Sequence, residues 1–149
     1  MGKKRNNKIK KSLEALNTEK PHFISPKNKD VDSSKYPYFS FRYICEKDYC
    51  MKKCRYEQLK AISDKLRMLS RLEWNTIQTS PRETNGSETI PQSAVKASMP
   101  CIVENDEPMI VFRFGKAKKR NGRIVGVRRD NKFYILFIDR NFTLYDHGS

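Results

Sequence analysis

Arg113, Lys116, Lys118, Lys119, Arg120, Arg123, Arg128, Arg129 and Lys132 crowd the stretch from Met109 to Lys132 against one acid, Asp130. That is a local charge of +8 in a chain whose net charge is +14. Cations this dense bind polyanions by releasing the counterions condensed on a phosphate backbone, so nucleic acid is the first partner the pattern suggests. The same residues would also serve as a solvated, charged sheet face with no ligand. The stretch runs on through apolar residues to a Tyr145-Asp146-His147 tail.

The remaining excess charge sits in the first 35 residues, where ten basic residues face four acidic ones. Between 36 and 108 the two signs nearly cancel, eleven against ten. Other chemistries find little footing. Cys45, Cys50, Cys54 and Cys101 lack the CxxC spacing of a zinc site, with His22 and His147 the only histidines, so no metal is expected and the cysteines read as free thiols. There is no HExxH, no Ser or Cys nucleophile with a placed His, no glycine-rich phosphate loop and no compact acidic cluster for two metals. No apolar run is long enough to span a membrane, and the basic start MGKKRNNKIKK leads into no signal-peptide core, which predicts a cytoplasmic protein with no membrane partner.

These residues need a scaffold. Residues 1–35, rich in Lys, Asn and Ser and broken by Pro21 and Pro26, read as a basic flexible arm and linker. That leaves 36–149 as a single small domain. Tyr38 to Ile44 alternates as a strand. Leu59, Ile62, Leu66 and Leu69 recur at helical spacing and predict a helix from Tyr56 to Ser70, followed by a second from Glu73 to Thr79 that drops Trp74 and Ile77 into the core before Ser80-Pro81. Residues 82–98 read as a loop or weak helix, and Cys101–Val103 as a short edge strand. Met109–Phe114, Arg123–Val127 and Lys132–Asp139 are strands joined by a basic loop at 115–122 and a tight turn at Asp130-Asn131; Phe142–Tyr145 would extend the sheet. The outcome is an α+β fold: a small antiparallel sheet of three to five strands, two helices on one face, the other face open. Arg113 shares a strand side with Val111, and Arg123 shares one with Val125 and Val127, so a basic open face is available.

The run IVFRFGKAKKRNGRIVGVRRDNKFYILFIDRNFTLYDH resembles the closing strands of the RelE/ParE toxin superfamily: a basic loop, a Gly-x-Arg-aliphatic strand, a hairpin, an aliphatic strand, an Arg and a final Tyr. The preceding strand and paired helices also suit a RelE-like fold, over Tyr38 to His147. The resemblance implies a toxin-like, metal-independent endoribonuclease acting on mRNA, free or ribosome-bound, with an acidic antitoxin partner and no cofactor. It matches Arg123 to the residue that binds the scissile phosphate, Arg113, Lys116, Lys118 and Lys119 to substrate-binding positions, Arg140 to a later catalytic Arg, and Tyr145 with His147 to the proton-transfer group. Arg120, Arg128 and Arg129 add to the expected nucleic-acid surface. In such chemistry a ribose 2′-hydroxyl attacks the adjacent phosphate, and a tyrosine base would need neighbouring cations to lower its pKa. The loop at 115–122 is longer and more basic than in compact toxins, and the arm has no counterpart. Two further readings stand beside this one: a non-catalytic RNA- or DNA-binding module, and a ParE-like inhibitor of a protein target. Tyr145 could equally be an aromatic covering the core, His147 a frayed end, and Arg123 a strand residue paired with Asp139 or Asp130.

Overall fold

A computed structural model describes residues 32–116 and 119–146, the side chains of 119–121 excepted. The expectations for residues 1–31, Lys118 and His147, and for the side chains of Lys119 and Arg120, fall outside the described residues. The described residues fold as an α+β unit with a five-stranded mixed sheet and two α-helices.

Helix α1, Tyr56–Ser70, covers the span that its apolar spacing predicts, with Ile62 and Leu69 fully inside. At its start the Arg55 backbone N–H donates to Gln58 Oε1 at 2.9 Å, which satisfies one of the donors that a helix beginning leaves open. Gln58 Nε2 in turn donates to the Arg140 carbonyl at 3.4 Å and ties this end of the helix to the chain leaving the sheet. Helix α2, Trp74–Thr79, stops before Ser80-Pro81 and buries Trp74 and Ile77. Trp74 Nε1 donates to the Asn131 carbonyl at 3.2 Å.

The strands are β1 Tyr38–Ser40, β2 Glu88–Ile90, β3 Met109–Lys116, β4 Lys119–Arg129 and β5 Lys132–Asp139, in the order β1-β5-β4-β3-β2. The three long strands form the expected meander. At the β4–β5 turn Arg129 pairs with Lys132, and Asp130 takes φ +54, a conformation that Asp tolerates better than most residues. The expected basic loop at 115–122 is instead mostly ribbon, since Lys116 pairs with Lys119. Gly122 sits at φ +152, where a Cβ would lie 2.6 Å from the Asp139 carbonyl oxygen and 2.7 Å from the Phe114 ring. Only glycine lets β4 approach β5 this closely one residue before Arg123.

Several expectations fail at the sheet's margins. The sheet is mixed, not antiparallel, because β1 pairs in parallel with β5, Tyr38 beside Lys132 through Ser40 beside Tyr134. The strand expected over Tyr38–Ile44 ends at Ser40, leaving Phe41 exposed, Ile44 on the helix side and Tyr43 on the other. Within 82–98, Glu88–Ile90 pairs with Met109–Val111 as the edge strand β2. Cys101–Val103 is turn and coil, and Phe142–Tyr145 does not extend the sheet, because Phe142 adopts φ +58 and turns the chain across it.

The larger correction concerns the open face. On the helix side Phe112, Phe114, Ile124, Phe133, Ile135 and Ile138 pack with Ile62, Leu69, Trp74 and Ile77. On the other side Met109, Val111, Val125, Val127, Leu136 and Phe137 form a second apolar core with Ile90, Leu144 and Tyr145, joined by Tyr43, Val95, Met99 and Ile102. The alternation assigned the residues of β3 and β4 to the right sides, though not Phe39 and Tyr43, which it placed together and which pack on opposite sides. Segments without regular structure nevertheless cover that second side, so among the described residues no basic sheet face lies open.

Candidate functional site

Arg123 lies in the middle of the covered face and is 0% exposed. Its cross-strand neighbours are Arg113 on β3 and Asp139 on β5. The guanidinium Nε is 3.4 Å from Asp139 Oδ2, and its carbon lies 3.9 Å from the centre of the Tyr145 ring and 4.8 Å from that of Phe142. Hydrogen-bond geometry is poor, since Arg123 Nε, Nη1 and Nη2 and Asp139 Oδ2 are buried with no well-formed partner. Asp139 Oδ1 accepts the Thr143 backbone N–H at 2.9 Å. The pair is therefore held by charge, with aromatic faces replacing water around the cation.

Tyr145 is 3% exposed, and its hydroxyl donates to Glu88 Oε1 at 2.6 Å. The other Glu88 oxygen meets Arg82 at 3.1 Å and Arg113 at 3.6 Å. Burial, followed by the hydrogen bond to Glu88, raises the Tyr145 pKa well above the ordinary 10.0, with the close approach of the Arg123 guanidinium to the phenol oxygen, and then its charge, opposing only in part. The nearby cations thus do not make Tyr145 the base that sequence reasoning required. It holds its proton throughout the neutral range and gives it in a hydrogen bond to Glu88.

The other expected site residues disperse. Arg140 follows β5 on a turn, where its charge acts on Asp48 and Cys54, and its carbonyl accepts from Gln58. Arg128 projects on the helix side with its guanidinium carbon 4.1 Å from the Trp74 ring centre. Arg129 pairs with Glu107 at 2.9 Å and also donates to the Ile102 carbonyl, which pins the connection that covers the second core. Of the expected set, the fold gathers Arg113, Arg123 and Tyr145 beneath the surface; Arg128, Arg129, Arg140 and Lys116 lie elsewhere.

Lys116 belongs to a different place. A cleft of about 720 Å³ opens between α1, the end of β3 and residues 84–85, lined by Arg55, Lys60, Lys65 and Lys116 together with Glu57 and Asp64. Asp64 is engaged by Arg67 at 3.3 Å. None of the four cations makes an ion pair with an acid among the described residues. Lys65 is 7% exposed, and its ammonium donates to the Thr84 carbonyl; burial lowers its pKa from the ordinary 10.5. Sequence reasoning missed this cleft because three of its cations, Arg55, Lys60 and Lys65, come from a stretch where the two signs nearly cancel and the fourth, Lys116, from a strand far along the chain. The signal that could have found it is the placement of Lys60 one residue beyond Leu59, outside the apolar face of α1, where the acid four residues on, Asp64, has Arg67 as a competing partner.

No family model, curated protein or solved structure matches the chain.

Proposed function

We propose that this protein binds single-stranded RNA through the cleft between α1 and the end of β3, as a binding module rather than a nuclease. The observation that carries the reading is the convergence of Arg55, Lys60, Lys65 and Lys116 on one cavity without ion-pair partners among the described residues. The cations facing this space outnumber its acids, Glu57 and Asp64, and a phosphate chain threaded among them relieves their mutual repulsion while shedding counterions. A cavity of this size accepts a strand with splayed bases and has no room for a duplex. Tyr56 lies between lining residues Arg55 and Glu57 in sequence and, at 77%, is the most exposed large aromatic among the described residues. Its ring offers a face on which a base can stack. Fluorescence anisotropy with a mixed-sequence RNA single strand, repeated from 50 to 200 mM salt, tests this. Phosphate contacts from Arg55, Lys60 and Lys116 predict a slope of log K against log salt of about −2.1, and affinity independent of salt refutes the reading.

A second reading, the RelE-like endoribonuclease of a toxin and antitoxin pair, draws support from one observation. Arg113, Arg123 and Tyr145 are neighbours across a β3–β4–β5 meander backed by two helices. Mapping of new RNA 5′-ends after induced expression, with Arg123→Ala alongside, separates the two. Cleavage that disappears in the variant selects the nuclease, and intact RNA selects the module.

A further inference from the structure

We propose that residues 141–146 form a strap that lifts as a unit, so that the chain has a closed form, the one described, and an open form in which Arg113 and Arg123 face solvent and take up an anion. This does not depend on the cleft, which lies at the end of β3 against α1. Three observations support it. First, the strap leaves β5 with Phe142 at φ +58, a conformation that disfavours a bulky residue and that is released when the segment swings away.

Second, the strap is fastened at a few identifiable points. Thr143 N–H donates to Asp139, the Lys96 N–H donates to the Leu144 carbonyl at 2.8 Å, the Tyr145 hydroxyl donates to Glu88, and Lys96 Nζ meets Asp146 at 2.6 Å. Leu144 and Tyr145 add apolar weight to the closed form. Third, what the strap covers is costly to cover. Arg123 has three buried nitrogens that lean on Asp139 and Tyr145 without hydrogen bonds of good geometry, Arg113 Nε is likewise unsatisfied, and the two cations are adjacent across the ladder. Asp139 and Glu88 balance the charge but reach the two guanidinium groups only at 3.4 and 3.6 Å, so an oxyanion admitted by a lifted strap would supply the acceptors these donors lack, bind the open form in preference to the closed one and shift the population toward it.

Amide hydrogen exchange tests the proposal in the Lys60→Ala/Lys116→Ala background, which weakens anion capture by the cleft. Thr143 reports on the strap and Ile124 on the core. Inorganic pyrophosphate should speed exchange at Thr143 by on the order of tenfold while Ile124 stays as protected as before or becomes more so. Glu88→Gln, which weakens a fastening without touching the apolar core, should raise Thr143 exchange before any anion is added. Exchange at Thr143 that follows Ile124 under all conditions, or that pyrophosphate leaves unchanged, overturns the strap.

Discussion

The two cationic regions of this molecule differ in what surrounds the charge. On the strapped face Arg123 is paired with Asp139 under aromatic rings, and Arg113 with Glu88, both largely away from water. In the cleft Arg55, Lys60, Lys65 and Lys116 face a cavity without ion-pair partners among the described residues. A paired, buried cation acts first as part of the fold. A convergent, unpaired one is free to meet a ligand. Charge density along the sequence does not separate these cases, because it counts cations without counting the carboxylates that reach them.

The sharpest way to break this comparison is to remove Arg123. Arg123→Leu leaves Asp139 buried with an oxygen that has no other well-formed partner, and breaking a buried pair in this way costs about 3–5 kcal/mol. Urea denaturation measures it. Arg123→Met combined with Asp139→Leu should recover most of that loss, since the apolar double replacement leaves no orphaned charge. A single variant as stable as the wild type would mean that Arg123 is solvated in solution and that the strapped face is the exposed one.

The cleft should respond in the opposite way. Lys60→Ala/Lys116→Ala removes two exposed or partner-free charges and should leave stability within about 0.5 kcal/mol. RNA affinity should fall about tenfold, equivalent to about 1.4 kcal/mol, and the salt slope should shrink by about 1.4, or 0.7 for each lost contact. A large stability loss with unchanged RNA affinity would reverse the assignment of the two regions.

What the sequence made legible follows the reach of each interaction. The helix from Tyr56 to Ser70 is visible because Leu59, Ile62, Leu66 and Leu69 repeat along one continuous segment, and β5 because Phe133 to Ile138 is apolar throughout. β2 was invisible: Glu88-Thr89-Ile90 has no pattern of its own and is a strand only because Met109–Val111 supplies its partners. The parallel pairing of β1 depends in the same way on a strand 94 residues later, Tyr38 meeting Lys132. The alternation of Arg113, Arg123 and Val125 gave the correct side of the sheet, yet it carries no information about what lies above that side. The cover is built from Tyr43, Val95, Met99, Ile102 and Leu144, scattered residues with no period. For that reason the candidate phosphate-binding Arg123 proves buried and the uncounted Lys60 and Lys65 line the cleft.

The smallest effects separate the regions by sign. Burial and Glu88 hold the Tyr145 pKa above its ordinary 10.0, so as pH rises past 10 the unfolded chain sheds this proton while the folded chain keeps it, and stability falls. Burial holds the Lys65 pKa below its ordinary 10.5. Below that lowered value the folded chain bears the full cost of a buried ammonium; between the lowered value and 10.5 the folded chain is already neutral while the unfolded one remains charged, and stability rises with pH. The two residues therefore oppose each other in the alkaline range, and each is exposed by deleting the other. Tyr145→Phe should leave a chain that loses less stability than the wild type on passing from pH 9 to 11, and Lys65→Met one that loses more. Lys65→Met should also be the more stable of the two chains at neutral pH, where its apolar side chain replaces a buried charge whose one described hydrogen bond is to the Thr84 carbonyl. Denaturation midpoints at the two pH values decide the matter, and equal slopes in all three chains would place both groups in solvent.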